Sequence, residues 1–281
     1  MNQDDASETP VPFAVPERLV EIDSTNRYLG DLVRTGLADG SEVPEGYAVI
    51  AERQSKGRGR LARTWEAPAG SAVLCSILFK PELVPDQLHL TAWAVALAAV
   101  QACREAAGVA SSLKWPNDLL CAELKVAGIL SEIVPGGATT VPAGSVLQAP
   151  ASVVVGIGIN VNWPPEWPPT GSRDPELASL AARATALNRV AGREIDRGEV
   201  VSQLLAHAGS WNTCLATDQG RRSLASEYRR CCSTIGREVR VQLSDETVSG
   251  RALDVDDSGC LLVSTGACIR TISAGDVVHL R

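Results

Sequence analysis

The sequence predicts a large domain of mixed strands and helices followed by a small β-barrel, on three observations. Between Arg18 and Leu215, short β-forming apolar runs are interspersed with longer stretches of helical periodicity. From about Ser233 the texture changes to five short strand patterns in about fifty residues, separated by turn signals. Between two of the earlier apolar runs, Tyr47–Ile50 and Val73–Phe79, lies a stretch from Glu52 to Trp65 that holds Lys56, Arg58, Arg60 and Arg63 within eight residues. A cationic, glycine-bearing loop held between two strands has the rigid base that a binding loop needs. With 281 residues, 45% of them apolar, the chain can bury a sizeable core.

The elements follow in order. Residues 1 to 15, rich in proline and acids, read as a disordered tail. Arg18–Asp23 is a short strand, and Ser24, Thr25 and Asn26 stand where the N-cap of the next helix belongs, although polar side chains at such a turn also suit a neutral hydrogen-bonding ligand. In the cationic loop, Gly57 and Gly59 allow a close approach of backbone to ligand and a positive φ. Four like charges should keep this loop mobile until an anion fills it. Asp86–Ala107 is apolar nearly all round, which places the helix in the core beneath the sheet, with Gly108 as its stop.

Leu113–Leu120 reads as strand, turn at Pro116-Asn117-Asp118, and strand. Lys125 then enters an otherwise apolar run. A lone strand lysine usually faces solvent, but Ala127 and Gly128 after it leave room for a ligand against the backbone. Pro135–Pro150 reads as a loop, and Ser152–Asn162 as a buried strand whose Gly156-x-Gly158 pattern lacks the third glycine of a dinucleotide fingerprint. Leu177–Ala184 and Asp196–Leu215 read as helices, Asp196 with Glu199 resembling a capping box. The last strands are Arg237–Leu243, Val248–Val255, Cys260–Val263, Cys268–Ile272 and Val277–Leu280, an SH3-like barrel packed on the main domain.

Composition narrows the function. The N-terminus is polar and acidic rather than a signal peptide, and the longest apolar run, Leu90–Val100, is too short to span a bilayer, so a soluble cytoplasmic protein is expected. Eight cysteines form no C-x-x-C pair and lie apart from the three histidines, which points to core thiols rather than a metal site. The formal net charge is −7, which counts against a nucleic-acid-binding protein built on Gly57–Arg60 and the barrel.

Taken together, Ser24-Thr25-Asn26, Gln54-x-x-Gly57-Arg58-Gly59-Arg60-x-x-Arg63-x-Trp65, Lys114-Trp115-Pro116-Asn117-Asp118, Leu124-Lys125-x-Ala127-Gly128-Ile129-Leu130 and Gly156-x-Gly158-Ile159-Asn160 closely resemble the biotin protein ligases, in that family's order. The resemblance implies an α+β fold: a mixed sheet with helices on one face, shared with lipoate ligases and class II aminoacyl-tRNA synthetase cores, plus the C-terminal barrel. It divides the chain into a tail (1–15), a catalytic domain (16–232) and the barrel (233–281). About twenty residues precede the first motif, where ligases that double as repressors carry a winged helix-turn-helix, so the resemblance is to the monofunctional type without DNA binding.

What the resemblance implies for activity is a two-step reaction with biotin, Mg²⁺-ATP and a biotin carboxyl carrier domain, through biotinyl-5′-adenylate. Ser24, Thr25, Asn26 and Gln54 would line the biotin pocket, with Gly57, Arg58, Gly59 and Arg60 closing over the carboxylate. Arg60 and Arg63 would reach the phosphates and Trp65 would brace loop or ligand. Lys125 would bridge the biotin carboxyl and the α-phosphate. Asp118 and Asn117 would place the adenylate or the incoming lysine, Asn160 would approach phosphate or Mg²⁺, and Gly128 and Gly158 would leave room for the ligand. No residue is expected to hold a resident metal. Lipoate-protein ligase is the nearest alternative, and the loop and the Lys114–Asp118 segment favour biotin.

Overall fold

The computed structural model describes residues 13, 15–136, 138–140, 146–148, 151–169, 180 and 182–280. The expected tail lies almost wholly outside these residues, as does half of the helix read at 177–184. A seven-stranded mixed sheet is built from β1 (Glu17–Ile22), β2 (Ala48–Gln54), β3 (Ala72–Phe79), β4 (Ser112–Lys114), β5 (Asp118–Cys121), β6 (Leu124–Val134) and β9 (Ser152–Asn160), in the order β1-β2-β3-β9-β6-β5-β4. Strands β1 and β2 are parallel and joined by helix α1 (Thr25–Asp39); the other neighbours are antiparallel. The loop read at 135–150 contains a two-stranded ladder, β7 (Ala138–Thr140) with β8 (Val146–Gln148).

Period-two alternation sorts β9 into two jobs. Val153, Val155, Ile157 and Ile159 point into the main core, shared with helix α2 (His89–Ala107). Alternate residues face the other way: Val154 packs with Leu29 and Val33 of α1, and Gly156, Gly158 and Asn160 continue that face beyond the start of the helix. The sheet therefore carries helices on both faces, not one: the apolar stripe of α1 needs its own cover, and Val49, Leu78, Val134 and Val154 supply it. Where α1 ends its cover, the face turns to glycine and polar side chains.

Twelve of the nineteen residues of α2 are buried, and only Arg104 and Glu105 in its last turns are exposed. It begins after a 3₁₀ turn (Pro85–Gln87), three residues later than its sequence pattern predicts, and ends at left-handed Gly108. Helices α3 (Leu187–Ala191), α4 (Arg197–Leu215) and α5 (Asp218–Cys231) complete the layer. Asp196 caps α4 through the amides of Gly198 and Glu199, but Glu199 turns to Gln203 rather than back to the cap, so only half a capping box forms. The sequence reading missed α5, although Thr217 caps it and Leu224, Ala225 and Tyr228 form its buried stripe. Tyr228 stacks on Trp93, centroids 4.0 Å apart.

All five C-terminal strands are present: β10 (Glu238–Gln242), β11 (Thr247–Val255), β12 (Leu261–Ser264), β13 (Ile269–Ile272) and β14 (Asp276–His279), an antiparallel sheet in the order β13-β12-β11-β10-β14. Its apolar residues join the main core. Trp115 fixes the two parts together: its amide donates to Thr234 Oγ1 (3.0 Å) and its indole Nε1 to the Gly259 carbonyl (2.9 Å). Among the described residues no helix is long and apolar enough to cross a membrane.

Candidate active site

The β1–α1 turn brings Ser24, Thr25 and Asn26, all buried, beside Gln54 at the end of β2. Gln54 Oε1 accepts from Thr25 N (2.8 Å) and Thr25 Oγ1 (3.0 Å). Asn26 Nδ2 donates to the Leu130 carbonyl (3.0 Å) and to Glu132 (2.9 Å). Ser76, the hydroxyl inside the apolar run of β3, lies 2.6 Å from Asn26 Oδ1 and 2.8 Å from Thr25 Oγ1, and its single proton can satisfy only one at a time. Ser24 caps α1 over a long 3.5 Å bond from Arg27 N. Capping and pocket-lining roles thus coexist in one turn.

The cationic loop folds over this wall. Its ends are tied by Trp65 N to Gly57 O (3.0 Å) and Gly59 N to Arg63 O (2.7 Å). A Cβ on Gly57 would lie 2.2 Å from the Trp65 carbonyl, so close approach is what this glycine supplies. The positive φ expected of the glycines belongs instead to Leu61, at 54° in the short 3₁₀ turn Arg60–Ala62. The repulsion expected among the four cations is relieved by carboxylates from elsewhere in the fold: Arg58 pairs with Glu132 on β6, and Arg63 with Asp276 on β14. A cleft of about 610 Å³ opens along Ser55–Gly59 and Arg63–Thr64.

Trp65 lies on a floor of glycine. Gly128 and Gly158 are register partners on β6 and β9, and a Cβ on either would fall within 3.0 Å and 2.4 Å of the Trp65 indole. Lys125 Nζ sits 5.6 Å from the centroid of the same ring and 2.6 Å from Asp118 Oδ1. Asn117 anchors the turn by exchanging bonds with Ile129 (2.8 and 2.9 Å) and accepts from Arg60 Nη1 (3.3 Å). Asn160 joins through Thr185, whose carbonyl takes Asn160 Nδ2 (3.0 Å) while its amide donates to Lys125 O (2.9 Å). Asn160 Oδ1 and Trp65 Nε1 are both buried without a protein partner.

Four segments distant in sequence thus meet at one place. Arg63 lines the loop cleft with its side chain largely exposed and paired to Asp276. The sequence reading passed over Ser76, Glu132, Asp276 and Lys114. Ser76 had a signal, as the one hydroxyl in an eight-residue buried strand. Lys114, the register partner of Asp118, also belongs to the cluster. Burial pushes its ammonium below the usual lysine range, the nearby Asp118 opposing and Lys125 adding to the effect. Burial likewise lowers the Arg60 guanidinium, against the pull of Asp276 and Asp118. Arg60, Arg63, Lys114 and Lys125 gather around Asp118 and Asp276, with Arg183 also in the field of Lys114, so cations outnumber carboxylates among these residues. Such an excess in a partly dry site favours a polyanion. No group of three or more His, Cys, Asp or Glu among the described residues could hold a metal ion.

Residues 21–146 match the biotin/lipoate A/B protein ligase family and residues 234–280 the biotin protein ligase C-terminal domain. The biotin–[acetyl-CoA-carboxylase] ligase of Mycobacterium tuberculosis is 34% identical over 252 residues, 87% of this chain and 82% of that protein. The bifunctional ligase/repressor BirA of Bacillus subtilis is 32% identical over 241 residues, 84% of this chain and 67% of that protein. Among solved structures, the biotin protein ligase from Aquifex aeolicus in complex with biotin and ATP superimposes with a TM-score of 0.71 at 27% identity, covering 95% of this chain and 98% of the other. Sequence order, fold and relatives agree, and the chain belongs to the biotin protein ligase family.

Proposed function

We propose that this chain is a biotin–[acetyl-CoA-carboxylase] ligase: it joins biotin to ATP with release of pyrophosphate, then passes the biotinyl group to a lysine of a biotin carboxyl carrier domain with release of AMP. The observation that carries the reading is the meeting of Trp65, Lys125, Asp118 and the Gly128–Gly158 floor. An acidic protein has gathered there the positive charge that a carboxylate and a triphosphate need in order to approach each other.

In the first step a biotin carboxylate oxygen attacks the α-phosphorus and the bond to the bridging oxygen of pyrophosphate breaks. Ser24, Thr25, Asn26 and Gln54 hold the ring end of biotin, with Gly57, Arg58 and Gly59 closing over its carboxylate. Lys125 turns from Asp118 to the carboxyl and α-phosphate oxygens, so its charge follows the negative charge through both steps. Arg60, Arg63 and Trp65 cover the phosphates and the adenylate, with Asn117 holding Arg60. Once Lys125 has turned, Asp118 is free to accept a hydrogen bond from the incoming lysine amine, whose nitrogen attacks the activated carbonyl and loses a proton to solvent as the carbonyl–oxygen bond breaks and AMP leaves. The buried, unpartnered Asn160 Oδ1 is a hard oxygen donor that suits the Mg²⁺ accompanying ATP, and bound there the ion would neutralise phosphate charge.

We assign residues 16–232 to the catalytic domain and 233–281 to the C-terminal one. Eight free thiols fit a reducing cytoplasm as the place of work. The test is ATP–pyrophosphate exchange with biotin, with lipoate and with neither. Exchange that requires biotin is expected; exchange with lipoate alone, or with neither from folded protein, would overturn the reading.

A further inference from the structure

Asp276 opens β14, in the C-terminal sheet, yet its carboxylate faces the catalytic loop. It takes both terminal nitrogens of Arg63, Nη1 to Oδ1 at 3.1 Å and Nη2 to Oδ2. That engages two of the five N–H donors and directs the bidentate face of the fork at the carboxylate, leaving one N–H on each terminal nitrogen and that of Nε for another anion. Arg60 and Lys114 also lie in its field. The Arg63 side chain is 62% exposed and that of Asp276 36%, so solvent screens the pair and exchange of one anion for another is easy. The carboxylate occupies the place of an anion on an arginine that the function above gives to phosphate.

We propose that Asp276 is a positioning residue of the triphosphate subsite: it holds Arg63 over the site while the site is empty and competes with ATP for the guanidinium. The proposal rests on the reading that Arg63 meets the triphosphate. A triphosphate brought to Arg63 would also meet the Asp276 carboxylate, and two anions on one fork repel each other unless one leaves. The C-terminal domain thereby sets the ATP concentration at which the loop closes on substrate. Arg58 and Glu132 form a matching pair at the other end of the loop. The loop is thus held at both ends by the protein's own carboxylates.

The experiment uses the full chain in biotin-dependent ATP–pyrophosphate exchange, with KM for ATP, KM for biotin and kcat measured for the parent, Asp276→Asn, Asp276→Ala and Arg63→Ala. Both Asp276 variants are expected to lower KM for ATP about threefold, the scale of an exposed ion pair, while kcat and KM for biotin stay put. The difference from the parent should shrink as salt is raised, because exposed pairs are screened. An unchanged or raised KM for ATP in the Asp276 variants overturns the competition, whatever Arg63→Ala does. If Arg63→Ala itself leaves KM for ATP unchanged, the assignment of Arg63 to the triphosphate fails, and the competition fails with it. A raised KM in Arg63→Ala with no fall in the Asp276 variants discards the competition alone.

Discussion

Lys125 and Gly128 share one face of β6 although they are three residues apart. A Cβ built on Gly128 would lie 3.1 Å from Lys125 Nζ. Strict alternation would put the two on opposite faces. The ladder to β5 explains the exception: Leu119 pairs with Ala127 but Leu120 with Lys125, so β6 carries an extra residue, Val126, at a bulge. Val126 and Ala127 both face the core, and Lys125 is re-aimed at the site. Lys125→Ala should therefore lower the rate of biotin-dependent pyrophosphate exchange by about a hundredfold or more, the usual loss when a charge-stabilising group is removed. Its side chain is one-third exposed, so the thermal midpoint should hold. Exchange at the parental rate would remove Lys125 from the mechanism.

The glycine floor makes a second prediction. At Gly158 an added Cβ falls 2.4 Å from Trp65 Cε2, and backbone strands on both sides keep the glycine from yielding. Gly158→Ala should expel the indole, cost about 1 to 3 kcal/mol by overpacking, and raise KM for biotin. Because the damage runs through Trp65, the same glycine change should cost measurably less in a Trp65→Ala background. A double-mutant cycle by denaturant unfolding checks this, and strictly additive costs would count against the contact.

The sequence made much of this legible, and for local reasons. The alternation in β9 and the small residues after Lys125 are signals within one strand, so Gly128 and Gly158 could be read as room beside the backbone, whereas Asn160 came only with the family resemblance. The five C-terminal strands were equally clear, since each alternates on its own and is closed by its own turn signal. What stayed hidden is non-local. No property of the Ala274-Gly275-Asp276 turn shows that its carboxylate meets Arg63, and nothing in β6 alone reveals a bulge that exists only opposite β5. The second helix layer was hidden because α1 reads as an ordinary amphipathic helix whichever face of the sheet receives it.

Thiol reactivity offers a third prediction. Burial pushes the Cys75 and Cys103 thiols up to about 12 and Cys121 to about 11, so in folded protein near pH 8 they hold almost no thiolate. Cys268 is exposed. Titration with an aromatic disulfide reagent should modify Cys268 first and reach Cys75, Cys103 and Cys121 only on unfolding. Peptide mapping after brief labelling would show the order, and early loss of Cys75 or Cys103 would contradict the packing around β3 and α2.

The last prediction concerns the seam between the two sheets, where His279 sits between Thr234 and Glu123. Thr234 Oγ1 accepts the Trp115 amide and lies 3.0 Å from His279 Nε2, to which its hydroxyl proton can be donated when that nitrogen carries the lone pair. The His279 ring is neutral in the folded protein near pH 7. Burial lowers its pKa to about 4, and the nearby Lys114 and Arg237 cations act in the same direction, with Glu123 opposing. An unfolded histidine titrates near its ordinary 6.5. Between those values the unfolded chain binds a proton that the folded chain refuses, so stability from this group is full above pH 6.5, falls as pH drops, and levels off below about 4. His89, lowered by burial as well, adds a slope of the same sign. Comparison with His279→Gln separates the two, because glutamine does not titrate. Thermal midpoints measured from pH 7.5 down to about 5, where carboxylates remain largely ionised, should fall more steeply in the parent than in the variant. Parallel curves would mean that His279 is free to take a proton in the folded state, and that the Trp115–Thr234–His279 chain does not hold the seam.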